Sequence, residues 1–263
     1  MLTYYVSVAG LFGLLFGSAI NAMVWRLHVG RSWVRGRSEC PECGHTLSSM
    51  DLVPVLSWIA LGGKCRYCRA PIKDHPIVEV LTGVVFALSA YVLIGVGVAS
   101  WVQFGFWLIL AVMLIILAVY DQRWLLLPDK VMLPLIVVAF AYCVSLAVAA
   151  HSPRILAEYL LTAMLTGGAF YSLVFFSKGR AMGGGDIKLA FAMGLILGPE
   201  RTLLALLVAF NVAAIVGVAL IAMRRRSRRD QIPFGPFLVA GTVIAFLFGQ
   251  QIIEWYLRLN GLT

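Results

Sequence analysis

Apolar runs of roughly 20 residues recur along the 263-residue chain, and one helix needs a run of that length to cross a bilayer. Inside hydrocarbon the backbone polar groups must be satisfied within the segment, so an unbroken apolar run has to be helical. The runs fall at about 2–27, 77–98, 101–120, 129–150, 155–177, 187–198, 201–223 and 233–257. The sequence therefore predicts an all-α polytopic membrane protein with about eight transmembrane helices. The 187–198 run is too short to cross unless its helix begins near Asp186 or is buried against its neighbours. Composition agrees: 61% of residues are hydrophobic and only 13% charged, against about a quarter charged in soluble domains.

The formal net charge is +9, but its placement points away from nucleic acid and toward a lipid surface. Basic residues cluster in short segments between apolar runs, as expected of loops held at the cytoplasmic face. The first run has no basic residue before it and is followed by Arg26, Arg31, Arg35 and Arg37. A secretory signal peptide has the reverse order, so this run reads as an uncleaved helix with its N-terminus outside. Threading eight spans from there places 28–76, 121–128, 178–186 and 224–232 in the cytoplasm and both termini outside. Of 21 Lys and Arg, only Arg154, Arg201 and Arg258 then fall outside. The Arg224–Arg229 cluster reads as a topology anchor. No internal repeat is visible to support an inverted-repeat transporter.

The one substantial segment between spans, 28–76, holds four of the five cysteines, as Cys40-Pro-Glu-Cys43 and Cys65-Arg-Tyr-Cys68. Each pair can wrap one edge of a tetrahedral metal, and two pairs close a structural site of four thiolates. Most of the segment's apolar side chains lie in Leu52 to Leu61, too few for a core of its own, so a zinc ion would supply folding energy. The competing reading of a CxxC pair is a redox dithiol, which a reducing compartment disfavours for two such pairs. Cys143 lies in an apolar run and reads as packing.

Charge beside a membrane span is costly and calls for a reason. Asp121 follows the third run, and Asp186 follows Gly183-Gly184-Gly185 and precedes Ile187-Lys188. The topology puts both at the inner boundary. Two adjacent carboxylates share a proton, one as acid and one as base toward a water, which is the chemistry of aspartic proteolysis. Three glycines remove side chains in front of Asp186 and let an extended substrate backbone approach. A position near a helix N-terminus favours ionised Asp186 and leaves Asp121 to hold the proton. Singly, Asp121 could mark a helix end, Asp186 an N-cap, and Asp129 after Pro128 a helix start.

These residues resemble the type IV prepilin peptidase family, the GxGD-type leader peptidases and N-methyltransferases. Gly183 to Lys188 is similar to the GxGDxK signature. Asp121 with Leu127-Pro128-Asp129 resembles the segment of the first aspartate. Gly17-Ser18-Ala19-Ile20-Asn21 with Arg26-Leu27 resembles the first-helix pattern. The 40–68 segment, with Asp51, Pro54, Ser57 and Gly63, resembles the cytoplasmic domain of bifunctional members, and Pro76-Ile77-Val78-Glu79 continues the match. His28 and His75 stand where the family commonly has Pro and an aromatic residue.

The resemblance implies a chain divided into a first helix (1–27), a four-cysteine zinc domain (28–76) and a transmembrane aspartic peptidase domain (77–263). It implies a multi-pass protein of the bacterial inner membrane with this domain in the cytoplasm. Its substrates would be type IV prepilins and the pseudopilins of type II secretion, cut between a short basic leader and an apolar helix. Asp121 and Asp186 would be catalytic, with Gly183, Gly184, Gly185 and Lys188 on the substrate's approach. The new N-terminal amine would be methylated from S-adenosylmethionine, with Glu79 as the acidic candidate for the donor site. No glycine-rich loop of the soluble methyltransferase kind is present. Readings of another class are a proton relay through Asp121, Asp186 and Lys188, and a zinc-dependent membrane scaffold.

Overall fold

The computed structural model describes residues 1–32, 35–72, 76–95, 101–179, 182–224 and 231–261. His75 and the basic residues at 225–229 lie outside the described residues. The chain forms two compact units, Met1–Ala99 and Ser100–Thr263. Among the described residues, seven helices are long and apolar enough to cross a membrane, and the chain is a multi-pass membrane protein.

The first unit contains α1 (Leu2–His28), a single 3₁₀ turn (Ser49–Leu52), α2 (Leu56–Ala60) and α3 (Ile77–Gly95). Helices α1 and α3 run antiparallel along a stripe of small residues: Gly10 faces Ala87, Gly13 faces Thr82 and Gly17 faces Glu79. Apolar side chains gain little from leaving lipid for one another, so membrane helices associate where glycine lets backbones approach. A Cβ on Gly13 would lie 2.6 Å from the Thr82 carbonyl oxygen, and one on Gly17 would run into the Glu79 backbone. The buried hydroxyls of Thr82 and Ser89 donate back to the carbonyls of Val78 and Val85.

The second unit contains α4 (Trp101–Trp124), α5 (Asp129–Ala149), α6 (Pro153–Phe176), α7 (Gly184–Ala222) and α8 (Gly235–Leu259). At about 1.5 Å per residue, the 39 residues of α7 would stretch to nearly twice the thickness of a bilayer core. They do not, because Gly198 adopts φ 71, ψ −174, outside helical space, and Pro199 follows it. The Thr202 hydroxyl lies 3.5 Å from the Met193 carbonyl oxygen, and the Phe170 ring reaches Phe210. Both contacts are out of reach if the helix runs straight, so α7 is a helical hairpin. The two runs expected at 187–198 and 201–223 are its arms.

Helix α6 lies antiparallel on the first arm, with Tyr159 against Gly198 and Ala163 against Gly194. Helix α8 lies antiparallel on the second, with Gly241 against Ala205 and Gly249 against Arg201. Trp107 of α4 stacks on Phe246 of α8, their rings 3.6 Å apart and nearly parallel. The first arm begins at Gly184, so the short run gains a turn at its polar end and carries Asp186 in that turn.

The close approach of α1 and α3 is directly testable. Gly17→Val should push the helices apart and cost about 1–3 kcal/mol of stability, read as a lower thermal midpoint of the purified protein in detergent. Gly105→Ala, whose added Cβ meets nothing within 4 Å, should leave the midpoint where it is. Equal midpoints for both variants would contradict the packing.

Candidate functional site

Two carboxylates are buried at one end of the second unit: Asp121 is 6% exposed and Asp186 8%. Asp121 comes from the last turn of α4 and Asp186 from the first turn of α7. The Asp121 carboxylate accepts the Gly235 N–H at 2.9 Å. Gly235 is the first residue of α8, whose N–H has no partner inside its own helix. Asp121 therefore caps α8 from another element, at the positive end of the helix dipole. The Asp186 carboxylate folds back to accept the Gly183 N–H at 3.2 Å. The two acids lie within electrostatic range of one another.

Local chemistry explains why the chain presents them this way. Leu125 turns at φ 55, with its N–H on the Asp121 carbonyl, and ends α4. Pro128 caps α5, which starts at Asp129. Leu127 packs against Gly185 so closely that a Cβ there would sit 2.7 Å from the Leu127 Cβ. Lys188 donates to Asp129 at 2.6 Å. The loop after Asp121 is thus fastened to the glycine loop before Asp186. Of the approach residues, Gly183 and Gly184 are exposed and Gly184 faces open space, whereas Gly185 is needed for the Leu127 contact.

The first unit holds the two cysteine pairs, whereas Cys143 is buried in α5 of the second. The Sγ atoms of Cys40, Cys43, Cys65 and Cys68 all lie within 4.8 Å of one another, and those of Cys40 and Cys68 are 3.9 Å apart. Tetrahedral zinc with Zn–S bonds near 2.3 Å needs S···S edges of about 3.8 Å, so the four fit one ion. All are free thiols. The two pairs are copies of one turn. Gly44 and Arg69, each just after a pair, take φ 69 and φ 62 and donate to the carbonyls of Cys40 and Cys65. Backbone N–H groups of Cys68 and Tyr67 point at the Cys65 sulfur and hold its thiol at about 7, whereas burial pushes the Cys40 thiol up and, despite the Ala70 N–H, the crowded sulfurs leave Cys68 at about 12.

Asp51 ties the loop between the pairs together. Burial works to raise its carboxyl, yet hydrogen bonds from Arg66, from the Ser48 N–H and hydroxyl, and from Tyr67 outweigh it and hold it at about 2. Glu79 of α3 accepts the Val55 N–H at 2.6 Å, where Val55 turns through φ 63 just before α2. Arg26 of α1 donates to the Gly36 carbonyl at 3.0 Å. The two long helices of this unit, α1 and α3, therefore grip the cysteine segment.

The sequence profile of the bacterial peptidase A24 N-terminal domain matches residues 11–93, and that of the type IV leader peptidase family matches 108–218. Three similar proteins each carry the name prepilin leader peptidase/N-methyltransferase. The one from Aeromonas hydrophila is 32% identical, covering 96% of this chain and 94% of its own. The one from Pseudomonas aeruginosa is 33% identical, with 95% and 93% covered. The Bacillus subtilis protein is 29% identical, with 97% and 98% covered. The chain belongs to the type IV leader peptidase family. No solved structure matches it.

In this family member, the sequence singles out Asp121 and Asp186, which the structure buries at one end of the second unit, and the four clustered thiols, but not Gly235, the donor to Asp121. The two are 114 residues apart, and the only local signal is Gly-Pro at a helix start. Cys65→Ser should sharply reduce metal bound to the purified protein and speed proteolysis of the loop between the pairs. Undiminished metal content, measured by elemental analysis, would reject the four-thiolate site.

Proposed function

We propose that the chain is an aspartic endopeptidase that removes the leader of type IV prepilins and pseudopilins at the inner-membrane surface, and that it then N-methylates the new N-terminus. The observation that carries the peptidase reading is the convergence of Asp121 and Asp186, buried, from two separate helices beside an open glycine loop. Each carboxylate has one oxygen engaged by a backbone N–H, which fixes its orientation and leaves the other to face a water.

In this reading one acid is ionised and acts as base while its partner holds the proton. Because both accept an N–H at a helix start, the dipole does not choose between them, contrary to the expectation that it would leave the proton on Asp121. The ionised acid removes a proton from water as the water oxygen attacks the scissile carbonyl, and the protonated one donates its proton to the carbonyl oxygen. Collapse of the tetrahedral carbon breaks the C–N bond, with a proton passing from the dyad to the leaving amine. The fixed N–H groups hold the acids without reorganisation during the reaction. Exposed Gly183 and Gly184 let the substrate backbone come close to Asp186.

Zinc at Cys40, Cys43, Cys65 and Cys68 would be structural, because four protein ligands leave no open position. S-adenosylmethionine would supply the methyl group. The acidic candidate for that half, Glu79, has one carboxylate oxygen on the Val55 N–H, so it also braces the loop. The basic distribution supports a cytoplasmic cysteine domain and both termini outside.

The test is reconstitution with a prepilin, reading cleavage by gel shift and the mature N-terminus by mass. Asp121→Asn and Asp186→Asn should each lower cleavage by about a thousandfold or more while the protein still inserts. Near-wild-type cleavage by either would remove it from the dyad. A cleaved product without the added methyl group would leave the chain a peptidase alone. Gly235→Ala puts a Cβ 2.7 Å from the Asp121 carboxylate oxygen and should lower kcat about tenfold or more. An unaltered kcat would show that Asp121 needs no such support.

A further inference from the structure

The segment between α1 and α3 exposes apolar side chains although it belongs to neither span. Met50 is 75% exposed, Leu56 66% and Ile59 62%, with Leu52 and Val53 also open. They lie in and around the 3₁₀ turn and α2, elements far too short to cross a bilayer. Helix α2 has an inner and an outer side. Its Trp58 turns toward Gly63, where an added Cβ would lie 3.0 Å from the ring, while Leu56 and Ile59, about one turn apart, face out. Apolar side chains gathered on one exposed surface mark a place that meets another apolar phase.

The way this surface is fastened says which phase. The Val55 N–H, just before α2, donates to Glu79 at 2.6 Å, and Glu79 lies in the first turn of α3. Helix α3 is long and apolar enough to cross a membrane, and it exposes Ile77, its first residue, together with Val80 and Leu81. Hydrocarbon therefore reaches the level of Glu79, and the hydrogen bond holds the start of α2 at that level. Lys64 and Arg69, both exposed, follow α2 in the chain. Cations beside an apolar surface at a bilayer boundary complement anionic headgroups, as they do in helices that lie in the interface plane.

We propose that Met50, Val53, Leu56 and Ile59 insert into the headgroup boundary of the membrane that α3 crosses, with Lys64 and Arg69 at its anionic phosphates. The 3₁₀ turn and α2 then form an interfacial anchor beside the two spans of the first unit. The second cysteine pair, joined to α2 through the Trp58–Gly63 contact, is thereby held at the membrane surface. The inference stands on the multi-pass architecture and is independent of the peptidase reading.

The experiment places a photocrosslinking residue at Leu56 or Ile59 of the intact protein in lipid nanodiscs and identifies the adducts by mass. Both positions should give lipid adducts about tenfold more often than Glu42, which is exposed in the first cysteine turn. Leu207, exposed within a span, supplies the reference yield of a lipid-facing side chain. Equal lipid yields at Ile59 and Glu42, or adducts only within the chain, would overturn the proposal. Adducts joining two copies would make the patch a dimer surface, and adducts to an added precursor would make it a substrate surface; either result overturns it too. The Ile59 yield should rise about threefold when phosphatidylglycerol replaces much of the phosphatidylcholine, and a yield indifferent to lipid charge would overturn the part assigned to Lys64 and Arg69. Leu56→Asp with Ile59→Asp should lower lipid adducts at Met50 about tenfold while bound metal stays at the wild-type level. Undiminished adducts at Met50 would contradict the anchor. Should that variant lose its metal, Leu56→Ser with Ile59→Ser makes the same comparison in a milder form.

Discussion

Burying two carboxylates near one another at the end of a membrane helix bundle is expensive, and the way the second unit meets that cost shapes its construction. Among the described residues, no cation is paired with either acid. Each instead accepts a backbone N–H at the start of a helix, Asp121 from Gly235 and Asp186 from Gly183. Helix starts offer N–H groups that have no partner within the helix, and their dipole favours negative charge. The position of α8 is thereby tied to Asp121, and the hairpin of α7 brings its own first turn to the same end. A salt-bridged arrangement would have held the acids more tightly and left them poorer at exchanging a proton with water.

The first unit solves a different problem. Its cysteine segment has little apolar material, so its order comes from four thiolates placed for one ion, from the Asp51 hydrogen-bond cluster, and from the grips of Glu79 and Arg26. The helices that supply those grips are held together by glycine contacts, which connects the metal segment's geometry to the spacing of α1 and α3. A site closed by four protein thiolates would leave no place for substrate, so in the proposed reading a metal there serves structure and the acids serve chemistry.

Much of this was readable because membranes impose coarse rules. Apolar length gave the helices, the flanking arginines gave an expected orientation, and paired CxxC spacing gave the thiolate cluster. Asp121 and Asp186 stood out because acids are scarce at such places. What was not readable lies in contacts between distant elements. Gly198 gave no sign that the chain would fold back there, since glycine and proline between two apolar runs are compatible with a loop as well as a hairpin. The Gly235 donor and the Lys188–Asp129 pair span 114 and 59 residues, beyond any local pattern. Glu79 read as an acid at a helix start, and its bond to Val55 required the loop's path.

The central claim is that Asp121 and Asp186 act as one unit on a single tetrahedral carbon. Binding of a precursor analogue in which the scissile carbonyl is replaced by a hydroxyl-bearing tetrahedral carbon measures that most directly. Transition-state analogues bind far tighter than substrates when the groups that stabilise the transition state are in place. The wild-type protein should bind the analogue tightly, and Asp121→Asn and Asp186→Asn should each weaken it by about a hundredfold, with the double variant little worse than either. Undiminished affinity in one single variant would contradict the shared role.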